Sequence, residues 1–277
     1  MKIYKIKSGI LLESEGNFYL ENSDWDEFIN AEDLLGKIKD SISNKTPIEN
    51  GVELIEKELL PPIKSQEIWA SGVTYFNSKL ARQEESKDAG GGDFYAKVYV
   101  ADRPELFFKS TAHRAVGSGG KVRIRKDSTW DVPEPELTLF INSQGKISGY
   151  TVGNDMSSRS IEGENPLYLP QAKTYDASAS IGPCIYVSEK PLEKETEISL
   201  VINRNGETVF EGKTEIGQIK RELNELAAWL FRETSFPAGC FLMTGTGIIP
   251  SNDFTLQSGD EIRITIDTIG TLVNFVE

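Results

Sequence analysis

The sequence predicts a β-rich α+β protein with a small N-terminal unit. Short apolar runs recur along most of the chain and are separated by Gly, Asn, Ser or Pro, which is the pattern of strands joined by turns. Residues 142–145 and 203–206 have the composition of hairpin turns. Residues 215–231 carry apolar side chains at helical spacing, and Pro237 bars any continuation.

The order of the elements follows from these signals. Near the N-terminus we expect strands at residues 3–6, 10–12 and 18–20 and a helix at about 33–42. Strands are further expected at residues 67–71, 105–109, 121–125, 137–141, 147–152, 185–187, 198–202, 241–244 and 261–266. Pro61 and Pro62 interrupt regular structure because each lacks an N–H donor and has a fixed φ. The predicted domains are therefore residues 1–62 and 63–277.

Charge and scarce residues exclude several functions. The 277 residues include 30 Lys+Arg and 43 Asp+Glu, a formal net charge of −13, so nucleic acid and anionic membranes are not expected partners. His113 is the single histidine, which rules out a two-histidine zinc site within one chain. Cys184 and Cys240 are expected to be buried apolar residues. No signal peptide and no apolar run of about 20 residues is present, so a cytoplasmic location is expected.

A pair of glutamates precedes one predicted strand. Glu134 and Glu136 project from one face of it, because strand side chains alternate. The following hairpin can return Asp155 to their side. Three carboxylates without an imidazole suit Mg²⁺, Mn²⁺ or Ca²⁺. The same residues also fit a solvated strand edge beside a turn aspartate.

Three further residues are candidates for chemistry. Glu105 enters a strand that contains Phe107, so its carboxyl group could be partly desolvated and its pKa raised. Lys173 follows a loop stiffened by prolines, and a nearby divalent cation would lower its pKa. The alternatives are an exposed strand-end charge and an ordinary loop lysine. Thr246, between two glycines, could offer its hydroxyl group and backbone amides to a small carboxylate.

Taken in order, these segments resemble the fumarylacetoacetate hydrolase superfamily. The resemblance covers about residues 68–276 and rests on residues 69–75, 107–110, 173–183, 239–246, 258–260 and 269–273, besides the three carboxylates. It implies a mixed β-roll core with a small N-terminal domain, usually as a homo-oligomer (a dimer or tetramer). It also implies Mg²⁺ or a similar ion on Glu134, Glu136 and Asp155. The implied substrate contacts are Tyr75, Phe107 and Thr246.

The hydrolases of this superfamily carry a His and a Glu on a short lid helix after the opening segment. Here Ser78 lies near the place of that histidine, and His113 lies elsewhere. A closer resemblance, on residues 103–109, 130–137 and 164–173, is to the branch of 2-dehydro-3-deoxy-D-arabinonate dehydratases, which also lacks this pair.

The closer resemblance implies a reaction. Glu105 and Lys173 would be the acid/base pair, and a small anionic 2-keto-3-deoxy pentonate would lose water to give 2,5-dioxopentanoate. Which of the two residues is the base stays open. The alternative is a metal-dependent C–C hydrolase or decarboxylase that acts on an acylpyruvate or an oxaloacetate-like substrate.

Overall fold

Two large sheets, one two-stranded sheet and short helices build the described part of the chain. The computed structural model describes residues 1–85 and 92–277. In this part of the chain the strands are β1 Lys2–Ile6, β2 Gly9–Ser14, β3 Asn17–Glu21, β4 Leu59–Leu60, β5 Glu67–Gly72, β6 Glu105–Thr111, β7 Ala115–Val116, β8 Lys121–Val122, β9 Asp131–Val132, β10 Pro135–Ile141, β11 Ile147–Asp155, β12 Ser157–Ser158, β13 Ala179–Tyr186, β14 Glu197–Arg204, β15 Glu207–Glu215, β16 Cys240–Met243, β17 Glu261–Ile266 and β18 Gly270–Val276. The helices are α1 Trp25–Ile29, α2 Leu34–Ser43, α3 Gly51–Glu58, α4 Phe76–Glu85, α5 Gly92–Val100, α6 Arg159–Glu164, α7 Leu169–Lys173 and α8 Leu223–Leu230. Short 3₁₀ turns lie at Ala112–Arg114, Pro166–Tyr168 and Ile216–Gln218.

The larger sheet carries the strands that matter for chemistry. Its order is β3-β2-β1-β13-β11-β10-β16-β5-β6, with β4 beside β1 and β7 beside β13. Most pairs are antiparallel, but β16 with β5 and β13 with β7 are parallel, so the sheet is mixed. A second sheet has the order β15-β14-β17-β18-β8, and a third pair joins β9 to β12. The β-rich α+β fold is confirmed.

The two faces of the larger sheet pack against different partners. Along β10, Leu137, Leu139 and Ile141 enter the core shared with the second sheet, where they meet apolar residues of β14 and β17. Phe140 points to the opposite face and packs in a cluster with residues of α1 and α2. This alternation follows directly from the period of two in a strand. It also assigns Glu134 and Glu136 to the face opposite Leu137.

The N-terminal strands continue the larger sheet. Lys2 pairs with Tyr186 and Ile3 with Ile185, so β1 lies beside β13. Asp33 caps α2 by accepting a hydrogen bond from the Gly36 N–H, and the apolar face of that helix covers the sheet. The boundary after residue 62 stays a prediction, and this pairing shows that the first strands share a sheet with the rest of the chain.

Three predicted elements are wrong in length. The strand expected at residues 185–187 is the C-terminal end of the longer β13, Ala179–Tyr186. The helix expected at residues 215–231 is a 3₁₀ turn followed by α8, because Ile219 and Glu222 are extended and the Lys220 N–H bonds the Thr74 carbonyl (3.0 Å). The strand expected at 121–125 ends at Val122, since the Arg123 N–H leaves the ladder to bond the Ala177 carbonyl. Among the described residues, no helix is both apolar and long enough to cross a bilayer.

Candidate active site

Three buried carboxylates meet at the open end of the β10–β11 hairpin. Glu134 immediately precedes β10, Glu136 lies within it, and Asp155 ends β11. The backbone N–H groups of Glu134 and Asp155 each donate to the other residue's carbonyl, at 3.2 and 3.0 Å. One oxygen from each of the three side chains lies within 4.8 Å of the others. The predicted triad is therefore assembled, and its oxygens are a donor set that can hold a hard divalent cation.

Lys173 lies against two of these carboxylates. It ends α7, it is fully buried, and its Nζ donates to Glu134 Oε2 (2.7 Å), to Asp155 Oδ2 (3.1 Å) and to the Ser157 hydroxyl group. Burial opposes the charged form, but Asp155, Glu134 and Glu162 outweigh it and raise the pKa of Lys173. From the sequence, a divalent cation is expected to lower the pKa of Lys173. With only the carboxylates beside it, the pKa of Lys173 is raised instead.

A second lysine, Lys109, also lies at the carboxylates, although it was not predicted as a site residue from the sequence. It lies on β6, is fully buried, pairs with Asp155 Oδ1, and donates to the carbonyls of Met156 (2.8 Å) and Lys173. Burial lowers the pKa of Lys109, and Asp155 opposes that shift. The ammonium group thereby ties β6 to the end of β11 and to the end of α7.

Glu136 differs from the other two carboxylates in its partners. Its Oε2 accepts the backbone N–H of Gly245, but within residues 1–85 and 92–277 the structure shows no ion pair to it. Burial first, and then the charges of Asp155 and Glu134, raise the pKa of Glu136 well above 4.5. A bound cation would relieve this repulsion directly.

Glu105 begins β6 directly across from Gly72 of β5. Burial of the carboxyl group raises the pKa of Glu105, while Arg82 and Lys173 act in the opposite direction. Phe107 follows on the same side of β6, with its ring centroid 5.7 Å from the Nζ of Lys173. One strand thus brings a carboxylic acid and an aromatic wall to the side of the carboxylate triad.

Helix α4 supplies a further charged group. Arg82 is buried, pairs with Glu162 of α6, and lies 3.8 Å from Glu134 Oε1. Burial alone would raise the pKa of Glu162, but Arg82 and then Lys173 lower it to about 2. Arg159, also on α6, places its guanidinium 3.1 Å from Glu134 Oε1. Four cationic side chains, Arg82, Lys109, Arg159 and Lys173, therefore surround the carboxylates.

The remaining predicted residues lie close by. Thr246 is buried beside the triad, and its hydroxyl group exchanges hydrogen bonds with the backbone of Ile248. Tyr75 is buried with its ring against Gly247, and in the described part of the chain its hydroxyl group has no protein hydrogen-bond partner. Ser78 bonds the backbone of Tyr75, and His113 is exposed in a 3₁₀ turn.

The side chains around the triad leave a cavity of about 10 Å³, close to the volume that one water molecule requires. A larger ligand therefore requires some of them to move. Much larger grooves lie on the surface, one of about 610 Å³ beside residues 146–150 and 216–224, but it contains none of the three carboxylates. Chemistry, rather than size, identifies the small polar cavity as the site.

Sequence reasoning missed Lys109, Arg82, Arg159 and Glu162. A signal existed for Lys109, which follows Glu105 and Phe107 at the spacing of one strand face. Arg159 and Glu162 lie three residues apart, a spacing that places them on one face of a helix just after Asp155. Nothing in the sequence indicates that α4 would bring Arg82 to the same place.

Comparisons with known proteins agree with this geometry. Residues 68–277 match the model of the fumarylacetoacetate (FAA) hydrolase C-terminal family. The chain is 48% identical over 223 residues to a probable 2-keto-3-deoxyxylonate dehydratase of Haloferax volcanii, a match that covers 80% of this chain and 76% of that protein. It is 42% identical over 221 residues to the 2-dehydro-3-deoxy-D-arabinonate dehydratase of Saccharolobus solfataricus, covering 78% of this chain and 73% of that one.

Among solved structures, one of 2-keto-3-deoxy-D-arabinonate dehydratase complexed with magnesium and 2,5-dioxopentanoate superimposes with a TM-score of 0.85 at 33% identity, over 100% of this chain and 99% of that one. The family match spans most of the chain and includes every residue of the site described above. The chain belongs to the fumarylacetoacetate hydrolase family.

Proposed function

We propose that the protein is a metal-dependent hydro-lyase that converts a 2-keto-3-deoxy pentonate to 2,5-dioxopentanoate and water. The observation that carries this proposal is a buried triad of carboxylates with Lys173 in contact and Glu105 beside it, on a chain similar to two dehydratases of such acids. The names of the two relatives can refer to the same substrate. Only C4 remains a stereocentre in a 2-keto-3-deoxy pentonate, so the xylonate and arabinonate derivatives of one series are the same compound.

Mg²⁺ fits the donor set as the cofactor. Glu134, Glu136 and Asp155 would hold it, because it prefers carboxylate oxygens and the site offers no soft ligand. Glu136 supports this assignment, since it is buried and repelled by two other carboxylates with no ion pair of its own among the described residues. When bound, the ion supplies a Lewis acid that polarises the 2-oxo group of the substrate.

The chain's own residues divide the proton transfers. Removal of water needs a base for a C3 proton and an acid for the departing C4 hydroxyl group. The 5-hydroxy-2-oxopent-3-enoate that results then tautomerises: C5 and its hydroxyl group each lose a proton, C3 and C4 each gain one, and the product is 2,5-dioxopentanoate. Glu105 suits the acid, because burial raises its pKa and so keeps its proton closer to neutral pH. Lys173 suits the base once its carboxylate partners are neutralised, since those partners hold its proton in the structure. Phe107 excludes water beside both groups, and Thr246 and Tyr75 would orient the substrate.

The site also bears on the hydrolase alternative. Ser78 stands on α4 near the place of the hydrolytic histidine and is engaged with the backbone of Tyr75, while His113 is exposed elsewhere. Neither residue can activate water beside the triad. A dehydratase therefore uses the residues present better than a C–C hydrolase does.

An NMR product assay tests the proposal. The protein is incubated with 2-keto-3-deoxy pentonates and hexonates, and in parallel with an acylpyruvate and oxaloacetate, each with Mg²⁺ and with EDTA. We expect 2,5-dioxopentanoate from a pentonate only with Mg²⁺, and a loss of about 10²–10⁴ in turnover for Glu105→Gln and for Lys173→Met. Full turnover by both variants, or turnover of the acylpyruvate alone, would reject it.

The assembly and location predicted from the sequence remain part of this proposal. A homo-oligomer, dimer or tetramer, is expected by family resemblance, and light scattering on the purified protein measures it. A cytoplasmic location is likewise expected and is tested by cell fractionation.

A further inference from the structure

Glu105 reaches the site across a strand position that has no side chain. Gly72 ends β5 and is the direct register partner of Glu105 on β6. A Cβ atom built on Gly72 would lie 2.0 Å from Glu105 Oε2 and 2.8 Å from its Cδ. The carboxyl group of Glu105 therefore occupies the space that any other residue at position 72 would fill.

This glycine is not required by the backbone. Gly72 is absent from the glycines with left-handed φ, whereas Gly245 across the site has φ +90°. An alanine at position 72 thus meets no strain in the main chain. The contact that it would make is with the free end of a flexible side chain, so the fold can adapt by moving Glu105.

We propose that Gly72 is a positioning residue: its missing side chain sets the place of the Glu105 carboxyl group relative to Lys173 and the carboxylate triad. The inference rests on the proposed function, in which Glu105 transfers a proton. To reach the 3.4 Å at which ordinary contact with a new Cβ begins, the oxygen has to move about 1.4 Å from its 2.0 Å position. A displacement of that size in a catalytic group can cost about 10²-fold in rate.

The test is a set of variants around this contact, assayed for kcat and KM on a 2-keto-3-deoxy pentonate at saturating Mg²⁺. Gly72→Ala is expected to lower kcat about 10²-fold with KM and Tm unchanged. Gly36→Ala is the matched control: its Cβ meets an Asp33 carboxylate oxygen at 2.3 Å in α2, and its kcat should equal that of the wild type.

Shortening or removing the carboxyl side chain isolates its role. Glu105→Asp retracts the carboxyl group by one methylene and weakens the contact, so Gly72→Ala combined with it should lose less kcat than the product of the two single losses. Glu105→Ala removes the three atoms that the new Cβ would meet first, and adding Gly72→Ala should then change neither Tm nor the residual kcat.

Each outcome decides the matter. Wild-type kcat in Gly72→Ala overturns the inference, and so does a multiplicative loss when it is combined with Glu105→Asp. A further drop in Tm or kcat in the Glu105→Ala background shows that Gly72 acts through the fold and also overturns it. If Glu105→Gln keeps wild-type turnover, the role of Glu105 in the proposed function fails together with the inference. If Glu105→Gln is impaired while Gly72→Ala is not, only the inference fails.

Discussion

Replacing Glu136 by glutamine is expected to stabilise the metal-free protein while abolishing its response to Mg²⁺. Glu136 lies with Glu134 and Asp155 at oxygen separations of at most 4.8 Å and has no ion pair of its own in the described residues. At an effective dielectric constant of about 20, each of these two repulsions is about 3.5 kcal/mol, and Lys173 offsets part of the total. Glutamine keeps the shape, and its amide oxygen can still accept the Gly245 N–H.

The pH dependence of stability gives an upper limit to the free-energy cost of Glu136. The pKa of Glu136 is raised in the folded state, so its proton contributes stability that is complete below about pH 4.5 and is lost as the pH rises toward the folded-state pKa. If the group stays protonated in the folded protein at pH 7, keeping that proton costs about 3 kcal/mol of folding free energy, from about 1.4 kcal/mol per pH unit above 4.5. We therefore expect Glu136→Gln to gain about 1–3 kcal/mol at pH 7, a rise in Tm of about 2–10 °C.

Thermal unfolding in EDTA and in Mg²⁺ measures both effects. The wild type should gain about 2.7 kcal/mol at Mg²⁺ concentrations 100-fold above Kd, and Glu136→Gln should gain almost nothing. Glu134→Gln is the control. Burial raises the pKa of Glu134 as well, but Lys173 and Arg82 oppose that shift, so Glu134→Gln should stabilise the metal-free protein less than Glu136→Gln does. A Glu136→Gln variant that is destabilised in EDTA, or that keeps the wild-type Mg²⁺ shift, would refute the reasoning.

Three more predictions concern other buried groups. Lys109→Met should lose about 3–5 kcal/mol in urea unfolding, because it leaves Asp155 short of a cation, and a loss below 1 kcal/mol would contradict this. The carboxylate of Glu162 stabilises the fold above about pH 4.5 and loses that contribution as the pH falls toward 2. Glu162→Gln should therefore remove about 3 kcal/mol at pH 7 and little at pH 2, and an equal loss at both would oppose the assignment. Burial raises the pKa of the Cys184 thiol to about 12, and Cys240 is also buried. Iodoacetamide should therefore label both cysteines only after unfolding, as measured by mass spectrometry, and rapid labelling of the native protein would contradict this.

The strands of the core could be predicted because their signal is local. The alternation of Leu137, Leu139 and Ile141 requires only that one face be buried, and the structure confirms it. The helix expected at 215–231 fails for the opposite reason. Its apolar spacing is helical throughout, but the Lys220 N–H bonds the Thr74 carbonyl, a partner 146 residues away in the chain that no local pattern reveals.

The candidate site divides in the same way. Two glutamates two residues apart, followed by a hairpin and an aspartate, made a metal triad one of two interpretations of the sequence, because a hairpin fixes which residues face each other, and the family resemblance favoured it. The counter-charges come from separate elements: Lys109 from β6, Arg82 from α4 and Arg159 from α6. Their convergence depends on packing between segments that are far apart in sequence.

The sequence by itself determined the hard-oxygen character of this protein. The chain has one histidine and 43 acidic residues, so any metal site had to consist mainly of carboxylates. The order of the motifs indicated the family. Tertiary structure alone decided the electrostatics: which carboxylate lacks an ion pair among the described residues, which lysine is held protonated, and where Gly72 leaves room for Glu105. The physical reason is that pKa values and steric fit depend on burial and on distances of a few ångströms, and the chain sets these only when distant segments pack together.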